Sequence, residues 1–363
     1  MNQMIVSAGP QTAAYTPGNS PSPIPSKATL LNIYDHPVAT YEDLRNLVVK
    51  NAIRHEIHVA PVVSGFMPFL HPDEVALRKR QDFFIGDGRF IAARHVRLIR
   101  AVSKDALRRA VNARVAAYKD LCKRPLTQNQ IEIFQFEEEQ RLLPTAPILE
   151  REELLVVDLL RRTGFIETGS FSAAQKVSLR FERYQEDDTP LPLYAPSCNL
   201  EHILTDWTTG NRELPDGFML GRRASMSGEN NERTVVSNHE LVARPVQNHI
   251  EAGMAVLKLE LHWQDKLTIQ VDQSGSFSSI RYATSPTRKK GLSKMSRADM
   301  QDAFLAVIPD VFEALDAYQS EINRIAESMQ RATGAPPALP APPAAARQDE
   351  DWDAAESGAE HYA

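Results

Sequence analysis

The segment Val246-Gln-Asn-His-Ile-Glu-Ala-Gly253, with the strands that follow it to residue 283, decides the fold of this chain. A polar, helix-compatible turn ends at Gly253. Apolar and polar side chains then alternate, with Leu257, Leu259, Leu261 and Trp263 set against Lys258, Glu260 and His262. This period of two is typical of a strand with one buried face. Alternation over 267–271 and again at 280–282 predicts two more strands, joined by hairpin turns at 265–266 and 272–275.

Length and composition are those of a soluble globular protein with more than one subdomain. The chain has 363 residues, of which 42% are hydrophobic and 24% charged. No apolar run approaches the roughly 18 residues of a membrane span, and the Pro- and Ser-rich start does not resemble a signal peptide. Cys122 and Cys198 lie in unrelated contexts. We therefore predict a reduced, cytoplasmic protein without a membrane partner.

Charge is unevenly distributed along a chain whose formal net charge is −6. The stretch from Arg78 to Arg124 holds 14 lysines and arginines against four aspartates, a local net charge of +10. From Gln348 to Ala363 there are six acids and no lysine or arginine. This asymmetry predicts a polyanion-binding face and an acidic tail.

One predicted helix places part of the basic stretch on a single face. Ser103 is its expected N-cap, and Pro125 ends it near residue 122. Lys104, Arg108, Lys119 and Lys123 fall within about a third of a turn of each other on the helical wheel. Few acids are placed to form i,i+4 pairs with them, which favours phosphate neutralisation and salt-dependent binding. The alternative interpretation is an ordinary solvated helix face.

The predicted phosphate contacts form two groups. The first comprises Arg89, Arg94, Arg97, Arg100, Lys104, Arg108, Lys119, Lys123 and Arg124. The second comprises Arg281, Arg288, Lys289 and Lys290, on and after the last predicted strand. Aromatic residues in the basic stretch occupy core-like positions, and neither a zinc finger nor a base-reading helix is evident. Sequence-independent contact with the backbone of duplex DNA is therefore favoured over stacking on single strands.

Histidines and carboxylates do not form the pattern of a catalytic or metal site. On a strand, His55 and His58 would point to opposite faces, and no third ligand stands at a suitable spacing. Two-metal nucleases need clustered carboxylates, whereas Glu260 is expected on a strand face and Asp265 and Asp272 in turns. We predict no metal, no cofactor and no enzymatic activity.

The chain order suggests an α+β protein with an inserted helical unit. Residues 1–26 and 332–363 are predicted to be disordered because they are Pro-rich or acidic and bury little apolar area. Residues 27–102 and 148–194 would form a discontinuous central domain, 103–147 a helical tip, and 195–331 a base domain. Period alone leaves 154–157 as a strand or the start of a helix, and 200–207 as a strand or a short helix.

The chain resembles the RdgC family of recombination-associated proteins. The resemblance rests on Asn248-His-Ile-Glu-Ala-Gly253, Leu257-Lys-Leu259, Trp263-Gln264 and the turn Ser274-Gly-Ser276. Looser matches, such as Gly88 to Arg94 and Leu142-Leu-Pro144, extend it from about residue 28 to 330. The chain departs from the family at Thr145 and Pro147, where members often carry an arginine and an aromatic residue. It also departs at Asn238, His239 and Glu240, where the family tends to be basic.

The resemblance implies an architecture and a function. The fold would be a central mixed-sheet domain with an inserted helical tip and a base domain. Two such chains would form a ring-shaped homodimer around duplex DNA, bind it independently of sequence, associate with the nucleoid and limit the access of a RecA recombinase.

Two other functions remain open at this point. One is a DNA exonuclease acting in recombination. The other is a protein-interaction scaffold whose acidic tail, residues 348–363, mimics DNA or shields the basic face.

Overall fold

The computed structural model describes residues 22–34, 36–53, 61–69, 82–182, 184, 189–228, 232–284 and 295–333. In chain order its main elements are β1 (Thr29–Asn32), α1 (Tyr41–Lys50), β2 (Val62–Met67), β3 (Phe84–Gly86), β4 (Phe90–Arg100), α2 (Lys104–Cys122), α3 (Gln128–Leu142), β5 (Ile148–Asp158), β6 (Thr163–Ile166), α4 (Phe171–Glu182), α5 (Leu200–Thr209), β7 (Phe218–Ser227), β8 (Arg233–Ser237), α6 (Arg244–Glu251), β9 (Ala255–Trp263), β10 (Leu267–Asp272), β11 (Phe277–Tyr282), α7 (Arg297–Leu305) and α8 (Ile308–Thr333). The protein is α+β, as the sequence predicts.

The first sheet has the order β1-β6-β5-β4-β2, with β3 also paired to β4. Its strand pairs are antiparallel, so the expected mixed sheet is wrong for the described strands. The isolated bridge between Ala52 and Phe66 is parallel. One face packs Leu44 and Val48 of α1 and Phe181 of α4 onto the sheet. Burial of these apolar side chains holds both helices against the sheet.

The second sheet contains the hairpins predicted from residues 255–283. Its order is β11-β10-β9-β7-β8, and all its pairs are antiparallel. Leu259, Leu261 and Trp263 are buried in the core cluster that also contains residues of α5 and α8, as the period of two predicts. The prediction is wrong at the start of the strand, where Val256 is buried and Leu257 only partly so. Gly253 has a φ of 89°, a left-handed conformation that glycine adopts readily at the end of the helical turn before β9.

Helix α8 connects the two sheets through its apolar face. Phe312 stacks on Phe90 of β4 with ring centroids 5.4 Å apart, and it lies 5.5 Å from Phe165 of β6. Tyr318, further along the helix, contacts Phe277 of β11 at 5.0 Å. The sheets therefore share one hydrophobic core with this helix inside it.

The N-terminal segment also joins the sheets. Ala28 and Phe277 exchange backbone hydrogen bonds of 3.0 and 2.7 Å, while the next residues form β1 in the first sheet. Ile24 packs against Met295, Met300 and Ala303. Contacts therefore begin before Lys27, the residue at which the sequence predicts that order starts.

The chain leaves the first sheet to form the helices α2 and α3, and it returns to the sheet at the same place. Arg100 of β4 and Ile148 of β5 are direct partners in the register, so residues between them project from a single point on the sheet. Thr127 and Gln130 form a capping box at the start of α3.

The two ambiguous stretches are resolved by their neighbours. Residues 154–157 belong to β5 because they pair with β4 on one side and β6 on the other. Residues 200–207 belong to α5, which Asn199 caps and Gly210 ends in a left-handed conformation.

Candidate nucleic-acid interface

The helical hairpin of α2 and α3 is held together by one apolar seam and one charged cluster. Val111 is buried in the seam, and Tyr118 meets Phe134 edge to face at 5.8 Å. Arg114 lies over the ring of Phe134 at 4.4 Å and pairs with Glu137 and Glu138. The charge of Arg114 is therefore used within the hairpin.

The side of α2 next to this seam presents the predicted basic face to solvent. Lys104, Arg108, Lys119, Lys123 and Arg124 are all exposed. Lys104 and Lys119 are 15 residues apart, about 22 Å along a helix. Lys123 follows the helix as its left-handed C-cap. Arg108 pairs with Asp105 at 3.0 Å, but both side chains are 74% exposed, so solvent weakens this pair. The structure thus places these five cations at the surface.

The three arginines of β4 do not join them. Arg94 is 3% exposed and pairs with Glu150 and, at 2.7 Å, with Glu152 of β5. Arg97 is 8% exposed, and Arg100, 6% exposed, donates to the backbone oxygen of Pro144 at 3.0 Å. Phosphate contact by these three arginines stays a prediction, and their burial in this structure disfavours it. They lie in a strand that is flanked by neighbours on both sides, and their charges are used inside the fold.

Arg89 has a structural partner but keeps some exposure. Its guanidinium donates to both carboxylate oxygens of Asp158, which is 0% exposed, at 2.9 to 3.3 Å. The hydrogen bond to Asp158 raises the pKa of Arg89. The side chain is 40% exposed and also lies 4.4 Å from the centre of the Phe90 ring. Its first role is therefore to compensate a buried carboxylate.

A second basic surface lies on the solvent face of the second sheet. Arg281 is 62% exposed and pairs with the nearly buried Glu260. Arg222 and Arg223, which the sequence analysis did not select, line the same basin of about 700 Å³. Their adjacent position in a strand was the available signal, because ordinary strand alternation would bury one of them. Arg288, Lys289 and Lys290 lie outside the described residues.

The carboxylates considered for nuclease chemistry do not converge. Glu260 is held by Arg281 and accepts a hydrogen bond from the backbone nitrogen of Arg222 at 3.1 Å. Asp272 accepts hydrogen bonds from Ser274 and from the backbone nitrogen of Ser276 in its own turn. Within the described ranges no group of three or more His, Cys, Asp or Glu residues is arranged to hold a metal ion. His55 and His58 are outside these ranges.

The hairpin also exposes large apolar side chains. Leu121 is 83% exposed, Phe136 63% and Ile133 48%. Ile133 and Phe136 are three residues apart on α3 and so share a face. Ile133 and Phe136 therefore form a small exposed apolar patch on α3, which is a feature suited to association.

The structure offers no membrane-crossing helix among the residues it describes, since none is both long and apolar enough.

A family model with the description "Putative exonuclease, RdgC" matches residues 64–317, which is more than half of the chain. The chain therefore belongs to the RdgC family, as the 246–283 segment predicts. The recombination-associated protein RdgC of Pseudoalteromonas translucida is 27% identical over 161 residues, 44% of this chain and 52% of that protein. The protein of the same name from Proteus mirabilis is 28% identical over 165 residues, 45% of this chain and 53% of that protein. The matched stretch spans about half the length of these curated relatives.

Proposed function

We propose that this protein binds duplex DNA without sequence preference and acts in recombination. The observation that carries the proposal is the row of exposed cations on one face of α2, in a chain whose relatives are named recombination-associated proteins. A row about 22 Å long meets several phosphates, since duplex DNA carries about one charge per 1.7 Å of its axis. Each neutralised phosphate releases counterions and strengthens binding at low salt.

The assembly that fits this role is a homodimeric ring around the duplex. Two features support it. The hairpin projects from one point of the first sheet, between Arg100 and Ile148, and it presents Leu121 and Phe136 to solvent. Contact between the apolar hairpin faces of two protomers would remove this surface from water, and the basic faces would then face a shared hole. DNA held in this way would be less accessible to a RecA recombinase and would place the protein with the nucleoid.

The test is duplex binding measured from 50 to 200 mM salt. Lys104→Ala/Lys119→Ala should lower affinity and reduce the slope of log K against log salt by about 2, because each phosphate contact contributes about 0.9. Arg324→Gln/Arg331→Gln removes two exposed positive charges from α8 and serves as the matched control. A wild-type slope near zero, or equal losses in both double variants, would contradict the proposal.

A DNA exonuclease is the second candidate, favoured by the description of the family model. Labelled duplex incubated with Mg²⁺ or Mn²⁺ distinguishes the two functions. Product that accumulates with time and disappears with EDTA would establish the nuclease, whereas stable binding without product supports the binding protein.

A further inference from the structure

We infer that the basin on the second sheet formed around Arg222, Arg223 and Arg281 is a discrete phosphate-binding site. The inference deepens the proposed function and rests on it for the origin of the phosphate, which would belong to DNA. The site lies on the second sheet, away in sequence from the cations of α2.

An irregularity in β7 brings two adjacent arginines to the side of the sheet that carries the basin. In the register of β7 with β9, Leu220 pairs with Leu261 and Ala224 pairs with Leu259. Three residues, Gly221 to Arg223, therefore stand opposite Glu260 alone. Extra residues in a strand break its alternation and re-aim side chains. As a result Arg222 and Arg223 are both exposed, and both line the basin.

A buried carboxylate, that of Glu260, holds the bulge through hydrogen bonds. Glu260 is 7% exposed, and its two oxygens have different partners. Oε1 accepts from the backbone nitrogen of Arg222 at 3.1 Å, and Oε2 accepts from the guanidinium of Arg281. One side chain thus fixes the bulge and the direction of Arg281. A buried carboxylate that fixes an arginine in this way orients the binding residue before its ligand arrives.

Gly221 makes room for this carboxylate. A Cβ atom at Gly221 would lie 2.6 Å from Cγ of Glu260 and 2.9 Å from its backbone oxygen. A larger residue would push Glu260 away from the bulge. The absence of a side chain at 221 and the acid at 260 therefore serve one local structure.

The charge and size of the basin suit a phosphate group. Three guanidinium groups face one carboxylate, so the site has an excess of positive charge. Ser237, Asn238 and His262 add polar groups around it, and Nδ1 of His262 lies 3.0 Å from Oγ1 of Thr268. A volume of about 700 Å³ is in the range of small-ligand sites. Arginine forks match phosphate oxygens in pairs, which makes a phosphate group the ligand that fits.

Titration of the full chain with inorganic pyrophosphate at low salt tests the site directly. Wild-type protein should bind saturably. Arg281→Gln and Arg222→Gln/Arg223→Gln should each weaken binding by about tenfold or more, the usual effect of losing a charge-assisted hydrogen bond. Arg233→Gln is the matched control because Arg233 is an exposed arginine on the neighbouring strand β8 that does not line the basin. Its affinity should stay within about twofold of wild type, as expected for a cation that makes no contact with the ligand.

Absence of saturable binding, or an equal loss in Arg233→Gln, would overturn the inference. The Lys104→Ala/Lys119→Ala variant separates this result from the proposed function. It should bind pyrophosphate normally while losing duplex affinity. If pyrophosphate binds but no variant or wild-type protein binds duplex, the site stands and the proposed function fails. If the protein binds duplex but not pyrophosphate, the proposed function stands and the phosphate site fails.

Duplexes with 5′-phosphate and 5′-hydroxyl ends then identify the source of the phosphate. Tighter binding of the phosphorylated duplex, lost in Arg281→Gln, assigns the site to a strand terminus. Equal binding of both, weakened equally by Arg281→Gln, assigns it to internal phosphodiesters. Binding of both duplexes that Arg281→Gln leaves unchanged would overturn the assignment of the site to DNA.

Discussion

Ser26 donates two hydrogen bonds to the carboxylate of Glu167, from its backbone nitrogen at 2.7 Å and from its hydroxyl at 3.1 Å. The contact ties the N-terminal segment to the end of β6 beside the point where Ala28 pairs with Phe277. Burial raises the pKa of the Glu167 carboxyl to about 7, although the Ser26 hydrogen bonds and Lys27 act in the opposite direction. The protonated acid is therefore the form that the fold prefers.

This relationship predicts a pH-dependent stability. Because the folded pKa lies above the ordinary value of 4.5, the native state binds more protons than the unfolded chain between these values, so stability falls as pH rises from about 4.5 to 7. Glu167→Gln keeps an acceptor oxygen and removes the ionisation. It should be more stable than wild type at pH 8 by up to about 3 kcal/mol, and similar to it near pH 4.5.

Urea unfolding at pH 5, 7 and 8 measures the difference. Glu240→Gln, which changes an exposed carboxyl, is the control and should follow the wild-type pH profile. A constant gap between Glu167→Gln and wild type at all three pH values would show that Glu167 does not titrate in this range.

Arg94 should matter for stability and not for DNA. Arg94→Met removes the partner of Glu150 and Glu152 from a buried position, and breaking such a pair costs about 3 to 5 kcal/mol. The folded fraction of the variant should bind duplex with the wild-type salt slope. Chemical unfolding and salt titration of the same preparation measure both effects. A reduced salt slope of duplex binding with unchanged stability would show instead that Arg94 contacts DNA.

Tyr318 carries a buried hydroxyl that has no hydrogen-bond partner in the described part of the chain. Tyr318→Phe removes only that group, so stability should stay constant or rise by about 1 kcal/mol. Tyr184→Phe is the matched control, since that hydroxyl donates to Ser64 at 2.9 Å and lies 3.2 Å from Nε2 of His95. The control should lose about 1 to 3 kcal/mol. Thermal unfolding that ranks the two variants in the opposite order would contradict this reading of Tyr318.

The exposed apolar side chains of the hairpin should act in self-association. Leu121→Ser/Phe136→Ser should change the free energy of unfolding of the protomer by no more than about 0.5 kcal/mol, because both side chains are in water. It should weaken the proposed homodimer at least tenfold in sedimentation equilibrium, because roughly 1.4 kcal/mol of apolar burial corresponds to a factor of ten in the dissociation constant. Leu160→Ser, at a 73% exposed position in the turn between β5 and β6, should leave the dimer unchanged. An identical dissociation constant for wild type and both variants would show that the hairpin does not form the dimer interface.

The second sheet was predictable because its hairpins are local. Leu259, Leu261 and Trp263 alternate with polar residues, and turn residues separate the strands, so the pattern defines both the elements and their buried face. Residues 154–157 could not be assigned in the same way. They are apolar without a period because both faces of β5 are covered: Leu154 and Val156 pack in one core cluster, and Leu155 and Val157 pack in another.

The candidate site was predictable only in part, because charge along the chain does not reveal exposure. Arg94, Arg97 and Arg100 looked equivalent to Lys104 and Lys119 in sequence. The difference lies in their surroundings, since Glu150 and Glu152 of β5 pair with Arg94 and the backbone oxygen of Pro144 accepts a hydrogen bond from Arg100. Arg222 and Arg223 were missed for the converse reason, since the bulge that exposes both is defined by their register with Glu260.

The pairing of Ala28 with Phe277 also has a consequence for how the chain is made. The two partners are far apart in sequence, so Ala28 leaves the ribosome well before Phe277 is synthesised. Contacts between residues so distant in sequence form slowly, and unpaired strand edges are prone to aggregate in the meantime. The segment at Ala28 must therefore wait for the synthesis of Phe277 before the two can pair, which makes this contact the place where a chaperone would be most useful.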